Sequence, residues 1–431
     1  MKILLILAHS KKSSYPLYQF SSSVIQPSLT LAQLAAVTPN EHSVELIDNR
    51  INNINFNWVG DIVGISSLTY AINYAYEIAD KFREKGISVV LGGYHASALP
   101  DEAKQHADSV VIGEAETSWP QLLKDFEKDK LKSFYHSGPV NAKLIPNANR
   151  TLQNGISFVS RVQATRGCPN RCEFCSVGNV ETNIFRKRPI ENVINEIKSL
   201  KSPSFSFDDS SLTIDLEYTK DLFRQMKSLN KKFSCYGNIN LLNENEDLLK
   251  LSKDAGCNTW CVGFESFSQE NLDQSNKKNK ASSYQESIKK IHKFGLRIKG
   301  LFIFGFDGDT TDTFNFTYKK IKNLNIDFAY FSILTPFPGS RLYTRLKKEN
   351  RINTEDWSKY TSGFVVYEPK NMTSDELYDK TNELTKNFYS FSTILARSLD
   401  FKHPIVLNSA SNFLFNSIDK TYVKMRMKEI Q

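Results

Sequence analysis

The sequence predicts an α/β protein: a doubly wound parallel sheet, then a partial (β/α)6 barrel, then a small helical C-terminal element. Three observations predict it. Short aliphatic or β-branched runs alternate with longer segments of helical period. A polar stretch near 128–155 interrupts that rhythm once, and after about residue 345 the strand signal fades. The 431 residues, 40% hydrophobic and 24% charged with 19 Gly and 14 Pro, suffice for two cores of ordinary domain size, which excludes disorder, collagen and coiled coil as the main class.

Taken in order, the runs at 3–8, 44–47, 62–66, 88–91 and 109–112 read as buried strands, and 29–37, 70–84 and 116–127 repeat apolar residues at helical spacing. Five βα units of this kind pack most simply as a parallel sheet wound on both faces, whose ligands sit beyond the C-terminal strand ends. The stretch 129–155 holds Pro139, Pro146 and several Asn, shows neither period, and reads as a connection after a first domain over 1–128. A second series follows, with strands at 160–165, 204–207, 233–236, 259–264, 297–304 and 328–334, and helices including 191–200, 216–229 and 284–294. Six such units predict an incomplete barrel, placed over 156–345. In the remaining 346–431, residues 375–399 read as a helix.

Lys and Arg number 55 against 47 Asp and Glu, and the resulting +8 is scattered in short clusters such as Lys277–Lys278, too diffuse to imply nucleic acid. The first apolar run spans six residues, Ile3 to Ala8, and leads into His9–Ser10–Lys11–Lys12 rather than a small-residue cleavage site. No run approaches the roughly 20 apolar residues that cross a bilayer, so a cytoplasmic protein is expected. Six cysteines are too few for a disulfide scaffold.

Three of those cysteines carry the most specific signal, in Arg166–Gly167–Cys168–Pro169–Asn170–Arg171–Cys172–Glu173–Phe174–Cys175, a C-x3-C-x2-C cluster directly after the first strand of the second series. Three thiolates on one short loop can converge on one metal centre. A structural zinc site takes a fourth Cys or His, yet no His lies between His136 and His292, and Cys235, Cys257 and Cys261 come from later strands. An iron–sulfur cluster with one iron left open suits the set better. Cys257 and Cys261 read as buried inert thiols.

This motif and its position resemble the radical S-adenosylmethionine (radical SAM) superfamily. The resemblance implies that Cys168, Cys172 and Cys175 ligate a [4Fe-4S] cluster whose open iron chelates the methionine part of S-adenosylmethionine. It also implies cosubstrate contacts from Phe174 beside the adenine, from the acidic edge Asp208–Asp209, from Asn238 after the third strand, from Glu265 and Ser266 after the fourth, and from Gly305 after the fifth. Read from the residues alone, Asp208 and Asp209 also suit a turn or helix cap. Pro336–Phe337–Pro338–Gly339–Ser340 resembles a P-x-P-G-[ST] loop of the same enzymes, and equally suits a rigid turn opening a helix.

The first domain resembles the Rossmann-like, cobalamin-binding domain of the class B methylase branch. The resemblance rests on Pro27–Leu31 with Leu34–Ala36, on Gly64–Ser67, on Gly92–His95 with Pro100, and on Asp108–Glu116. It implies cobalamin contacts from Ser66, Ser67, Gly92, Gly93, His95, Gly113 and Glu114. Because no D-x-H-x-x-G occurs, no His ligand beneath the cobalt is expected, and His95 matches a loop packed beside the corrin or nucleotide tail.

The resemblance further implies that one electron into the cluster cleaves the sulfonium, that the 5′-deoxyadenosyl radical takes hydrogen from an unactivated carbon, and that methylcobalamin methylates that carbon. Oxidative cyclisation or carbon–carbon coupling without methyl transfer is the alternative within the superfamily. A non-catalytic metal-binding interaction module is the alternative outside it. A transfer-RNA methylthiotransferase would carry cysteines ahead of Cys168, and none is present. The implied partners are a small-molecule or lipid-like substrate and an electron donor such as flavodoxin or ferredoxin.

Overall fold

The computed structural model describes residues 1–9, 27–153 and 157–398. Residues 399–431, the end of the expected C-terminal element, and 154–156, where the expected connection meets the barrel, lie outside the described residues.

The first sheet contains β1 (Lys2–Leu7), β2 (Ser43–Asp48), β3 (Ile62–Ser66), β4 (Ser88–Gly92), β5 (Ser109–Ile112) and β6 (Phe134–His136), in the order β2-β1-β3-β4-β5-β6 with every pair parallel. Ile3, Leu4, Leu5 and Ile6 of β1 are wholly buried, as a strand covered by helices on both faces requires. Helix Ile72–Arg83 covers one face with Ile72, Ala75, Ile78, Ala79 and Phe82, and helix Ala115–Phe126 covers the other with Trp119, Leu122 and Leu123. From β1 the chain passes to one side for β2 and to the other for β3. That reversal opens a crevice at the C-terminal ends of β1 and β3.

Strand β6 lies inside the stretch 129–155 that the sequence marks as a connection. It hydrogen-bonds parallel to β5 through Val110, Val111 and Ile112, so the first sheet extends to His136. Three residues at a sheet edge are too few to display a period, which is why the pattern misses them.

Beyond β7 (Val159–Val162), a short antiparallel ribbon pairs β8 (Thr165–Arg166) with β9 (Arg186–Lys187). Strands β10 (Ser204–Phe207), β11 (Lys232–Gly237), β12 (Cys257–Glu265), β13 (Arg297–Phe304) and β14 (Phe328–Ile333) then join β7 in a six-stranded parallel sheet of order β7-β10-β11-β12-β13-β14. The expected strand at 160–165 is thus split into β7 and β8. In β13, Ile298, Gly300, Phe302 and Phe304 are buried towards the helices, whereas Arg297, Lys299, Leu301 and Ile303 on the inner side are half-buried. That face of β13 is therefore only partly covered, unlike the packed interior of a closed eightfold barrel.

Ser340 caps helix Arg341–Lys348, its hydroxyl accepting the Tyr343 amide at 3.1 Å, so the Pro336–Ser340 loop opens a helix. Trp357, Tyr360 and Val366 then return to the core of the first domain, and helix Ser374–Phe388 packs on β14. The tail is therefore a clamp across both sheets as well as a helical cap.

Candidate active site

The cysteine loop leaves β8 through Arg166 and turns at Gly167, which has φ +81° and whose added Cβ would strike the Ile184 carbonyl. Backbone bonds pin it at several points: Cys175 N to Cys172 O at 3.2 Å, Glu173 N to Ser275 O at 2.8 Å and Leu342 N to Glu173 O at 2.9 Å. Glu173 also pairs with Arg345 at 2.7 Å. Its start is held by Asp209, whose buried carboxylate accepts from Ala164 N at 3.1 Å, from Thr165 N, and from Thr165 Oγ1 at 2.6 Å. Burial pushes Asp209 up to about 7.

Burial also pushes the Cys172 thiol up, and the neighbouring Lys277 ammonium holds that rise back. Loading iron on such a thiol must release a proton. Among the described residues no three His, Cys, Asp or Glu side chains meet at one ion-sized point. The donor set is three thiols on one loop with no fourth ligand gathered beside them, which fits a polynuclear cluster taking each thiolate on a separate iron rather than a four-ligand zinc site.

On one flank of this loop, Phe174 meets Phe306 edge-on at 6.2 Å. Glu265, held at φ +62°, pairs with Lys277 Nζ at 2.7 Å, and Gly263 leaves the room this carboxylate occupies. Gly305 has φ +101°; its amide donates to Asp309 at 2.9 Å and its carbonyl accepts from Tyr367. The Asn238 side chain caps helix Ile239–Glu244, its Oδ1 accepting from Asn240 N at 2.9 Å, and the Ser266 hydroxyl accepts from Ser268 N at 3.1 Å. Asp208 pairs with Arg161 at 3.3 Å, each side chain 38% exposed. Of the expected cosubstrate residues, Asp209, Asn238 and Ser266 are thus engaged in local structure, while Asp208 stays accessible and Glu265 faces the cysteine loop through Lys277.

The other flank faces a cavity of about 640 Å³ between the two sheets. The first sheet supplies Ser66, Ser67, Gly92, Gly93 and the loop Gly113–Glu116 from its C-terminal strand ends; the barrel supplies Arg161, Asp208 and Tyr236, and the cysteine loop Val177, Val180 and Glu181. Gly93, at φ +98°, brings its backbone so near β3 that an added Cβ would lie 2.5 Å from Ser67 O. Gln33, 9% exposed in the cavity wall, has an Nε2 with no hydrogen-bond partner among the described residues. A cradle of close backbone, an apolar wall and a waiting amide fits a large ligand rich in amide groups, as cobalamin is.

His95 does not line this cavity. It is fully buried away from the cavity, Nε2 3.1 Å from Glu102 Oε1 and its ring edge-on to Trp357 at 5.0 Å, in the contact with the C-terminal clamp. Tyr94 lines the cavity instead, since one step along a helical turn rotates the side chain by about 100°. Burial first, then Glu181 and Cys175 nearby, hold its phenol above the ordinary range. Glu114 lines the cavity with its carboxylate already taken by Arg186 at 2.5 and 2.7 Å and by Val140 N at 2.9 Å. Lys277, Tyr94, Gln33 and the partners of Glu114 escape sequence reasoning, because none sits at a diagnostic spacing.

No helix among the described residues is long and apolar enough to cross a membrane. The Radical SAM superfamily matches residues 162–321 and the B12 binding domain matches residues 25–123. The bacteriochlorophyllide d C-12(1)-methyltransferase of Chlorobaculum tepidum is 32% identical over 402 residues, covering 90% of this chain and 87% of that one. The C-8(2)-methyltransferase of the same organism is 34% identical over 370 residues, covering 79% and 82%. Among solved structures, the cobalamin-dependent S-adenosylmethionine radical enzyme OxsB superposes with a TM-score of 0.69 at 14% identity over 97% of this chain and 71% of that one. TsrM from Kitasatospora setae, with cobalamin and a [4Fe-4S] cluster bound, gives 0.65 at 15% identity over 95% and 90%; both show the same fold. The chain belongs to the cobalamin-dependent radical S-adenosylmethionine C-methyltransferases, enzymes of a [4Fe-4S] cluster, S-adenosylmethionine and cobalamin.

Proposed function

We propose that Cys168, Cys172 and Cys175 hold the cluster, that S-adenosylmethionine lies on the Glu265–Lys277 flank of the cysteine loop, and that cobalamin fills the cavity on its other flank without a His ligand. The observation that carries this reading is the double exposure of one loop: Cys172 faces Lys277, while Val177, Val180 and Glu181, a few residues on, form part of the cavity wall. When bound, the three groups supply reductive sulfonium cleavage, hydrogen abstraction and a transferable methyl group; orientation and exclusion of water fall to the protein. Lys277, fixed by Glu265, presents an ammonium to the cosubstrate carboxylate, and the remaining Glu265 oxygen accepts from ribose hydroxyls. Leu34, Val37, Val177 and Val180 keep the cavity wall dry. The substrate is a small or lipid-like molecule with an unactivated carbon, the electron donor a flavodoxin or ferredoxin, and the compartment the cytoplasm.

The test is anaerobic incubation of cluster- and cobalamin-loaded protein with methyl-labelled S-adenosylmethionine, reductant and fractionated cell extract. The expected result is 5′-deoxyadenosine and S-adenosylhomocysteine formed together, with label in one product. Deoxyadenosine formed at full rate by protein that retains no cobalamin after desalting would overturn the assignment of the cavity.

A further inference from the structure

Between the corrin-side loop and the cysteine loop lies a buried set of charges that neither cofactor site by itself requires. Glu114 and Glu116 open helix Ala115–Phe126 directly after Gly113, which has φ +88° and whose added Cβ would lie 2.6 Å from Ser137 O, and all four residues 113–116 line the cavity. Arg166, two residues before Cys168, reaches across the domain boundary. Its Nη1 is 2.7 Å from Glu116 Oε1 and 3.4 Å from Glu114 Oε2, while its Nε and Nη2 donate to Gln163 Oε1 at 3.1 and 3.0 Å. Behind it, Arg186 of β9 grips both oxygens of Glu114 and also donates to the Glu181 carbonyl, and the Glu181 carboxylate accepts from Gly167 N at 3.0 Å. The side chains of Glu114, Glu116, Arg166 and Arg186 are 1–10% exposed.

We infer that Arg166 and Glu116 are positioning residues that couple the two cofactor sites, so that a loaded cluster raises the affinity for cobalamin and bound cobalamin favours the loaded cluster. The reason is geometric. Both loops turn on positive-φ glycines and meet through charges that are too buried to be satisfied by water, so losing one partner strands the other and the set is either docked or not. A cluster fixes the loop two residues past Arg166, and a corrin fixes the loop carrying Glu116. Whichever binds first orders the shared contact, and the second binds to loops already placed. Linkage makes the effect reciprocal. The inference rests on the cofactor placement proposed above.

The test titrates hydroxocobalamin into anaerobic full-length protein with and without its reconstituted cluster, following the corrin absorption, for wild type, E116Q and R166K. Wild type is expected to bind at least about fivefold tighter with the cluster in place, the lower end of measured couplings. In E116Q the ratio should fall towards one while both forms still bind, and R166K, which keeps the charge but loses the fork that also grips Gln163, should lie between. Equal affinities of the two wild-type forms, or an undiminished ratio in E116Q and R166K, would overturn the coupling. Wild type that binds no hydroxocobalamin in either form would instead overturn the cofactor placement, and the coupling with it. Should E116Q fail to fold, the wild-type ratio and R166K still decide.

Discussion

Replacing Asp209 separates a structural from a cosubstrate role for the acidic edge after β10. Its carboxylate is 3% exposed and takes three donors, two backbone amides and the Thr165 hydroxyl, at the point where β7 gives way to β8. Asp209→Ala leaves those donors unpaired; at about 1–3 kcal/mol for each buried unsatisfied group, partly relieved by entering water, a loss of about 3 kcal/mol or more is expected. Asp209→Asn keeps one acceptor and removes the titration. Burial raises the folded-state value from 3.8 to about 7, so the unfolded chain ionises first and native stability falls as pH climbs through that window. At about 1.4 kcal/mol per pKa step the fall amounts to at most about 4 kcal/mol, absent below about pH 4 and complete above about pH 7. Urea midpoints of cluster-free wild type and Asp209→Asn, measured from pH 4 to 8, should therefore move in favour of the variant as pH rises. A difference that stays constant within about 1 kcal/mol across that range would refute the reasoning, as would an Asp209→Ala protein of wild-type stability with reduced S-adenosylmethionine affinity.

Other outcomes follow from the same geometry. Alanine at Cys168, Cys172 or Cys175 should abolish the iron–sulfur charge-transfer absorption and all S-adenosylmethionine cleavage, whereas Cys257→Ala, whose thiol lies buried 4.0 Å from that of Cys235, should retain both. Glu265→Ala should weaken S-adenosylmethionine binding by roughly 1.5–3 kcal/mol in calorimetry with the cluster still present, since it removes a charge-assisted acceptor and releases Lys277. In electron paramagnetic resonance of the cob(II)alamin-loaded protein, the cobalt lines should show no nitrogen splitting, in wild type and in His95→Ala alike. His95→Ala should instead lower the melting temperature, because its ring fills the contact between Glu102 and Trp357.

Much of this protein is legible in its sequence, and the reason is the parallel sheet. Strands covered on both faces must be apolar almost throughout, so Ile3–Ile6 and Ile62–Ile65 announce themselves, and the helices between them must present a stripe at helical spacing. The C-x3-C-x2-C spacing is equally local, since one loop supplies every ligand. The left-handed glycines at 93, 113 and 305 belong to the same class, because the residues on either side already mark the turn. What adjacency along the chain cannot express was decided by the tertiary structure. Whether Tyr94 or His95 faces the cavity depends on the phase of the short helix that begins at Tyr94. Whether Asp209 meets a cosubstrate or the backbone of residues 164 and 165 depends on a strand more than forty residues earlier. The pairing of Glu265 with Lys277 inside the barrel, and of Glu116 with Arg166 between the two sheets, joins residues whose separation carries no period, so neither partnership shows until the chain is folded and water is excluded from around the charges.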